Sequence, residues 1–263
     1  MTCKPLFIKL HWMLSSQFDF DPRSFLRSLR GVPRFLRDWR HFRPGYSGAL
    51  TLKPCLHDWY EEGGVTRSEY FWQDLLVARW IFERNPQKHV DVGSRVDGFV
   101  AHVASYREIE VFDVRPTSTR VSGVTFKQAD LMQPVESVGE EYCDSLSCLH
   151  AIEHFGLGRY GDPIDPLGYQ RGLASLARLL MVGGRLYLST PIGQERVEFN
   201  ANRVFDPRTI IRFAERNGLR LQELTSIDAA GTISPIVVTE QSLLQLARAR
   251  YCLGLFVFTR DKK

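Results

Sequence analysis

Apolar and polar positions follow two different patterns along the chain, and the change falls near residue 85. Beyond it, short apolar runs recur at 88–93, 108–113, 123–127, 143–149, 184–190, 219–226 and 252–259. Runs of this length, rich in Val, Ile, Leu and Phe, predict strands. Helical spacing of apolar residues predicts helices at 97–105, 166–181, 206–217 and 239–249. The helix at 206–217 shows both of its ends. Asp206-Pro207 offers a capping carboxylate and a Pro at the first helical position, and Asn217-Gly218 offers a left-handed stop. Strands interleaved with helices make βαβ units, so the fold class is α/β, a doubly wound, mostly parallel seven-stranded sheet. The final strand follows an irregular piece and a short helix and is expected to insert antiparallel at one edge.

Before residue 85 the chain is rich in Arg and aromatic residues, with Pro5, Pro22, Pro33, Pro44 and Pro54 at near-regular intervals. Proline is disfavoured inside a helix, which predicts short helices and turns here. A longer helix is predicted over 66–84. Its apolar positions, among them Trp72, Leu75, Leu76, Val77, Trp80 and Ile81, are too many for one stripe, so it should be heavily buried. Asn85-Pro86 ends it. The chain therefore reads as an N-terminal helical extension, 1–85, followed by an α/β domain, 86–263.

Composition narrows the classes. An apolar fraction of 44% in 263 residues supports a sizeable core, and a net charge of +4 is too mild to name a partner. The five cysteines have no metal-ligand spacing, which points to free buried thiols in a reducing compartment, and no metal is expected. No run approaches the ~18 apolar residues of a membrane span. Met1–Leu14 carries Lys4, Lys9 and His11 without a small-residue cleavage site, so a signal peptide is not expected and the location reads as cytoplasmic. Arg23, Arg27, Arg30, Arg34, Arg37, Arg40 and Arg43 follow one another at spacings of three or four, interleaved with Phe25, Leu26, Leu29, Phe35, Leu36, Trp39 and Phe42. Residues 24–42 thus either lie on the anionic inner face of a membrane or pack on a domain with their guanidinium heads solvated. No recognition module accompanies the arginines, which argues against nucleic acid. Nothing in the pattern marks an oligomer.

Candidate chemistry gathers at the carboxyl ends of the first four strands. Asp91-Val92-Gly93-Ser94 closes the first, where Gly93 permits close approach of a ligand and Asp91 can order the turn. Asp113 closes the second, as a ribose acid or a solvated strand end. Asp130 follows the third, as an acceptor for the exocyclic amine of adenine or as a cap. His150, Glu153 and His154 follow the fourth, as proton acceptors or as solvated loop residues. The loop Asp162-Pro163-Ile164-Asp165-Pro166, with Tyr160 and Tyr169, reads as a substrate lid or a capped helix start.

Taken in order, these features resemble the class I S-adenosylmethionine-dependent methyltransferases over roughly residues 85–260, in a branch catalogued as a domain of unknown function. Asp91-x-Gly93 is similar to that family's first glycine motif, Asp113 to its ribose acid, Asp130 to its adenine contact, and Leu149-His150-Ala151-Ile152-Glu153-His154 to the His-x-x-Glu-His string of many small-molecule members. Leu176–Leu186 resembles its helix, Gly-Gly turn and fifth strand. The resemblance implies a Rossmann-like methyltransferase fold. It also implies S-adenosylmethionine held by Asp91, Gly93, Ser94, Asp113 and Asp130, and methyl transfer to a small-molecule or glycan acceptor, such as a hydroxyl of a surface-polysaccharide sugar. His154 or His150 would accept the proton, with Glu153 orienting. Two other classes compete. One is a non-catalytic binding module, favoured by Arg95 and Asp97 where further glycines would stand. The other is a dinucleotide-dependent oxidoreductase, disfavoured by the lack of a Tyr-x-x-x-Lys pair and of a full Gly-x-Gly-x-x-Gly.

Overall fold

Strands covered on both faces carry apolar residues at successive positions. In the computed structural model, β1 (His89–Val92) and β2 (Ile109–Asp113) are buried at every residue, and β4 (Cys143–Leu149) at all but one. The structure describes residues 15, 21–64, 66, 68–118, 120–133 and 138–262. With β3 (Val124–Gln128), β5 (Leu180–Ile192), β8 (Leu219–Ile227), β9 (Ile233–Pro235) and β10 (Cys252–Arg260), they form an eight-stranded sheet in the order β3-β2-β1-β4-β5-β10-β8-β9. The first five in that order run parallel, and β10 runs antiparallel to both neighbours. Two expectations are corrected. The final strand enters the interior of the sheet between β5 and β8 rather than an edge, and β9 adds an eighth strand beyond β8. A separate hairpin, β6 (Arg196–Glu198) with β7 (Asn202–Val204), follows β5.

Alternate strand positions sort into two cores. Val90, Val92, Leu146, Cys148, Leu186, Leu188, Phe256 and Phe258 belong to one, and Val111, Leu149, Tyr187, Leu255 and Val257 to the other. The chain divides into compact units between Val65 and Thr66, not near residue 85. The reason is the helix Glu69–Arg84, which buries Val77, Ala78 and Ile81 in the second core and so belongs to the α/β unit. Ser68 caps its start and Asn85, in the left-handed region at φ 46°, ends it.

The N-terminal unit departs from the short helices and turns expected of its prolines. A single helix, α1 (Pro22–Phe42), runs through Pro33. Asp21 caps it, accepting from the Arg23 backbone N–H at 2.9 Å, with Pro22 at its first turn, the same device that starts the helix Pro207–Arg216. Gly31 is buried because the chain returns across it: an added Cβ would stand 1.9 Å from the Leu56 carbonyl oxygen. Arg34 stacks on Trp59 with its guanidinium carbon 3.1 Å from the ring centre. No helix among the described residues is long and apolar enough to cross a membrane. Cys143, Cys148 and Cys252 are buried free thiols and Cys55 is an exposed one; Cys3 lies outside the described residues.

Among the described residues, the α-helices besides α1 and the helix Glu69–Arg84, designated α2, are α3 (Ala101–Ala104), α4 (Gly168–Leu179), α5 (Pro207–Arg216) and α6 (Glu240–Arg248). The segment 180–181, expected to end a helix, instead begins β5. A turn at Val96–Val100 precedes α3.

Candidate active site

A cavity of about 580 Å³ opens at the carboxyl ends of β1, β2, β3 and β4, within the size range of small-molecule sites. It is built first from the turn after β1. Asp91 is fully buried and accepts hydrogen bonds from the Ser94 backbone N–H at 3.0 Å, the Ser94 hydroxyl at 2.8 Å and the Ser147 hydroxyl at 2.5 Å. Burial pushes its carboxyl up to about 6 against those bonds. Below it, His89 bonds Ser145 and Ser147 at 2.8 and 3.2 Å, so the turn stands on a satisfied polar network. Asp91 lies behind the cavity wall, whereas Gly93 and Ser94 line it. Gly93 has φ 79°, donates its N–H to the Phe112 carbonyl at 2.9 Å, and an added Cβ would stand 2.8 Å from Ala151 Cβ. Arg95 and Asp97 pair with each other at 2.6 Å at the mouth, with side chains 73% and 70% exposed, so they leave the crevice open.

Asp113 and Asp130 both line the cavity. Asp130 accepts the Met132 N–H at 2.9 Å and orders the turn after β3. Asp113 is held by Arg115, which donates its backbone N–H at 2.8 Å and its guanidinium Nε and Nη2 at 2.9 and 2.5 Å. The same guanidinium reaches the Gly93 carbonyl at 3.4 Å. A carboxylate has about four acceptor positions, so a ribose diol would share Asp113 with Arg115 or displace it.

The string after β4 splits into different chemical states. It forms a single 3₁₀ turn, Ile152–His154, not a long helix. His150 takes φ 53°, which aims its ring between two carboxylates: Nδ1 is 2.6 Å from Glu153 Oε1 and Nε2 is 3.1 Å from Glu69 Oε1. Burial opposes the charge, but the two carboxylates prevail and raise its pKa to about 9, so His150 is an imidazolium at neutral pH and no base. Tyr70 stacks on it at 4.5 Å. Glu153 is wholly buried and held ionised by His150. His154 differs. Burial depresses its pKa, so it is neutral; its Nδ1–H donates to the Ala201 carbonyl at 2.8 Å, which leaves the Nε2 lone pair as acceptor. Glu153 Oε1 lies 3.8 Å from Nε2.

Several contributors carry no sequence motif. From α2 come Glu69, Tyr70, Gln73 and Asp74. Asp74 is buried on the cavity wall, and burial raises its pKa. Gln73 accepts from Ser189, whose hydroxyl also takes the His150 backbone N–H at 3.0 Å. Arg203, on β7, is 4% exposed and donates to the Glu153 and Phe155 carbonyls at 3.1 and 2.7 Å, locking the turn that carries His154.

A family model described as "Caenorhabditis protein of unknown function, DUF268" matches residues 109–215, from β2 into α5. No curated protein matches the chain in sequence. Among solved structures, the [4+2]-cyclase SpnF resembles it with a TM-score of 0.54 at 10% identity, over 76% of this chain and 86% of its own. The N-methyltransferase NodS from Bradyrhizobium japonicum WM9, solved with S-adenosyl-L-homocysteine, resembles it with a TM-score of 0.50 at 12% identity, over 74% of this chain and 89% of its own. Strand order, the antiparallel strand inside the sheet and these likenesses together give the α/β unit the Rossmann-like fold of the class I S-adenosylmethionine-dependent methyltransferases.

Proposed function

We propose that the α/β unit transfers a methyl group from S-adenosylmethionine to a small-molecule acceptor, with a hydroxyl of a surface-polysaccharide sugar as the acceptor class. The observation that carries this reading is a neutral, tautomer-fixed His154 on the wall of the same cavity that presents Gly93, Asp113 and Asp130. A cyclase shares the fold, so the fold leaves the reaction open and the side chains decide it.

The residues present fit the cofactor. Gly93 offers a backbone that a side chain would obstruct, Asp113 a carboxylate for a ribose diol, Asp130 an acceptor for an adenine amine, and Asp74 a buried carboxyl group on the wall to accept from an ammonium group. Asp91 supports this set from behind the cavity wall by holding Ser94. When bound, S-adenosylmethionine supplies an electrophilic methyl group. A sugar hydroxyl is a weak nucleophile, and His154 Nε2 accepts its proton as it attacks. The Ala201 carbonyl keeps the ring oriented, and the Glu153 carboxylate 3.8 Å away favours the imidazolium that forms. His150, already charged, positions Glu153. The open crevice beside the Arg95–Asp97 pair supports this reading over a non-catalytic module.

His154→Ala is expected to lower kcat by ~10²–10⁴-fold while leaving affinity for S-adenosylhomocysteine unchanged. Because burial depresses the His154 pKa, wild-type kcat should hold through neutral pH and fall only on the acid side of the ordinary imidazole range, as the ring protonates. Unchanged turnover in the variant would remove His154 from the mechanism.

For the N-terminal unit, peripheral attachment to an anionic membrane surface is the companion proposal. Phe25, Leu26, Leu29 and Phe42 on α1 are each at least half exposed beside the arginine series. The full chain should sediment with phosphatidylserine-containing vesicles, less so at high salt, and not with neutral ones. Equal absence from both pellets ends the idea.

A further inference from the structure

The loop after His154 is built to present charge. The Asp162 carboxylate accepts the backbone N–H groups of Gly156, Gly158 and Tyr160 at 2.8, 3.2 and 3.1 Å. Gly156, Gly158 and Gly161 take φ of 79°, 68° and 85°. Three donors gathered on one carboxylate and three left-handed glycines define one loop shape. That shape places Arg159 and Tyr160 on the cavity wall next to His154.

Two guanidinium groups attend the Tyr160 ring, with the Arg115 carbon 4.6 Å and the Arg159 carbon 5.1 Å from its centre. The arginines of the cavity wall differ in how their charge is met. Arg95 pairs with Asp97, and Arg115 pairs with Asp113. Arg159 donates to the Ala201 carbonyl at 2.8 Å, approaches His154 Nδ1 at 3.5 Å, and makes no ion pair with a carboxylate among the described residues. Its Nη1 shares the Ala201 carbonyl with His154 Nδ1, so the unneutralised cation and the base are fixed to one point of the backbone. A guanidinium with further N–H donors free on a cavity wall matches the geometry of a carboxylate or phosphate.

We infer that the acceptor carries an anionic group, carboxylate or phosphate, which Arg159 binds while the hydroxyl to be methylated lies at His154 Nε2. This inference rests on the methyl-transfer reading for the hydroxyl's fate, though anion binding by Arg159 stands apart from it. Within the sugar class it selects uronic acids or sugar phosphates over neutral sugars. Arg159 is thus a specificity-determining residue, distinct from the proton acceptor.

The test is saturation-transfer NMR on the full chain with S-adenosylhomocysteine present, using glucuronate, glucose 6-phosphate and glucose as probes. At least one anion should bind ten-fold or more tightly than glucose. Arg159→Gln should erase that preference and Arg159→Lys should keep part of it. Glucuronate binding alone would assign a carboxylate, and glucose 6-phosphate alone a phosphate. Equal binding of glucose, no binding by either anion, or an unchanged preference in Arg159→Gln would each overturn the inference. Calorimetry with S-adenosylhomocysteine on the same sample reads the cofactor separately. Arg159-dependent anion binding without cofactor heat would end the methyl-transfer reading and leave the anion site standing.

Discussion

Gly93→Val is expected to cut affinity for S-adenosylhomocysteine by at least ~100-fold, which is about 2.7 kcal/mol of binding free energy. Two independent costs converge on this position. Its φ of 79° lies where L-residues are strained by roughly 1–2 kcal/mol. The first atom of any side chain would also stand 2.8 Å from Ala151 Cβ, closing the turn against the loop that leads to His154. The variant should keep its far-ultraviolet circular dichroism, because the Asp91–Ser94–Ser147 network beneath the turn does not involve a Gly93 side chain. Titration calorimetry reads the affinity directly. Wild-type affinity in a folded Gly93→Val protein would mean that no ligand approaches this turn.

Glu153→Ala should produce the largest loss of stability. Glu153 is fully buried, and its partner His150 is a cation set between it and Glu69. Removing one member of a buried pair costs about 3–5 kcal/mol, and His150 would keep only Glu69, at 3.1 Å, as its counter-charge. For a unit near 200 residues, that lowers the melting midpoint by roughly 6–20 °C at ~2–4 °C per kcal/mol. The double variant Glu153→Ala/His150→Ala should lose less than the two single losses added, because it removes both members of the tighter pair and leaves no buried imidazolium short of a partner. A midpoint within two or three degrees of wild type in Glu153→Ala would show that the pair carries little of the fold.

Much of the fold was legible because buried parallel strands and capped helices leave local marks. The strand 143–149 and the Asp-Pro start of α5 matched the sequence pattern. The place of β10 was not recognised, although its signal was present. Cys252–Phe258 is apolar on both faces, as a central strand must be, whereas β8 exposes Arg220, Gln222 and Glu223. The antiparallel direction follows from the irregular piece and short helix before the strand, and the central position from its two apolar faces. Reading Pro33 as a breaker gave it too much weight: it removes one helical hydrogen bond from the 21 residues of α1, while the Asp21-Pro22 start promotes the whole helix. Hairpin β6–β7 has strands of three residues each, too short for a periodicity to register.

The site was legible where it is local and opaque where it is not. Gly93, Asp113, Asp130, His150 and His154 all line one cavity, as their positions at strand ends suggested. Sequence spacing could not separate the two histidines. The carboxylate that makes His150 a cation together with Glu153 is Glu69, 81 positions earlier, and the carbonyl that fixes His154 is Ala201, 47 positions later. Arg115 stands two residues from Asp113, yet its grip on that carboxylate follows from the backbone turn after β2, which composition does not encode.

The central claim is that this crevice holds the methyl-donor cofactor. The most direct test is calorimetric titration of the purified full chain with S-adenosylmethionine and with S-adenosylhomocysteine, alongside Asp113→Ala. Both ligands should bind the wild-type protein at micromolar concentration, and Asp113→Ala should lose that binding. No heat and no thermal shift with either ligand would contradict it.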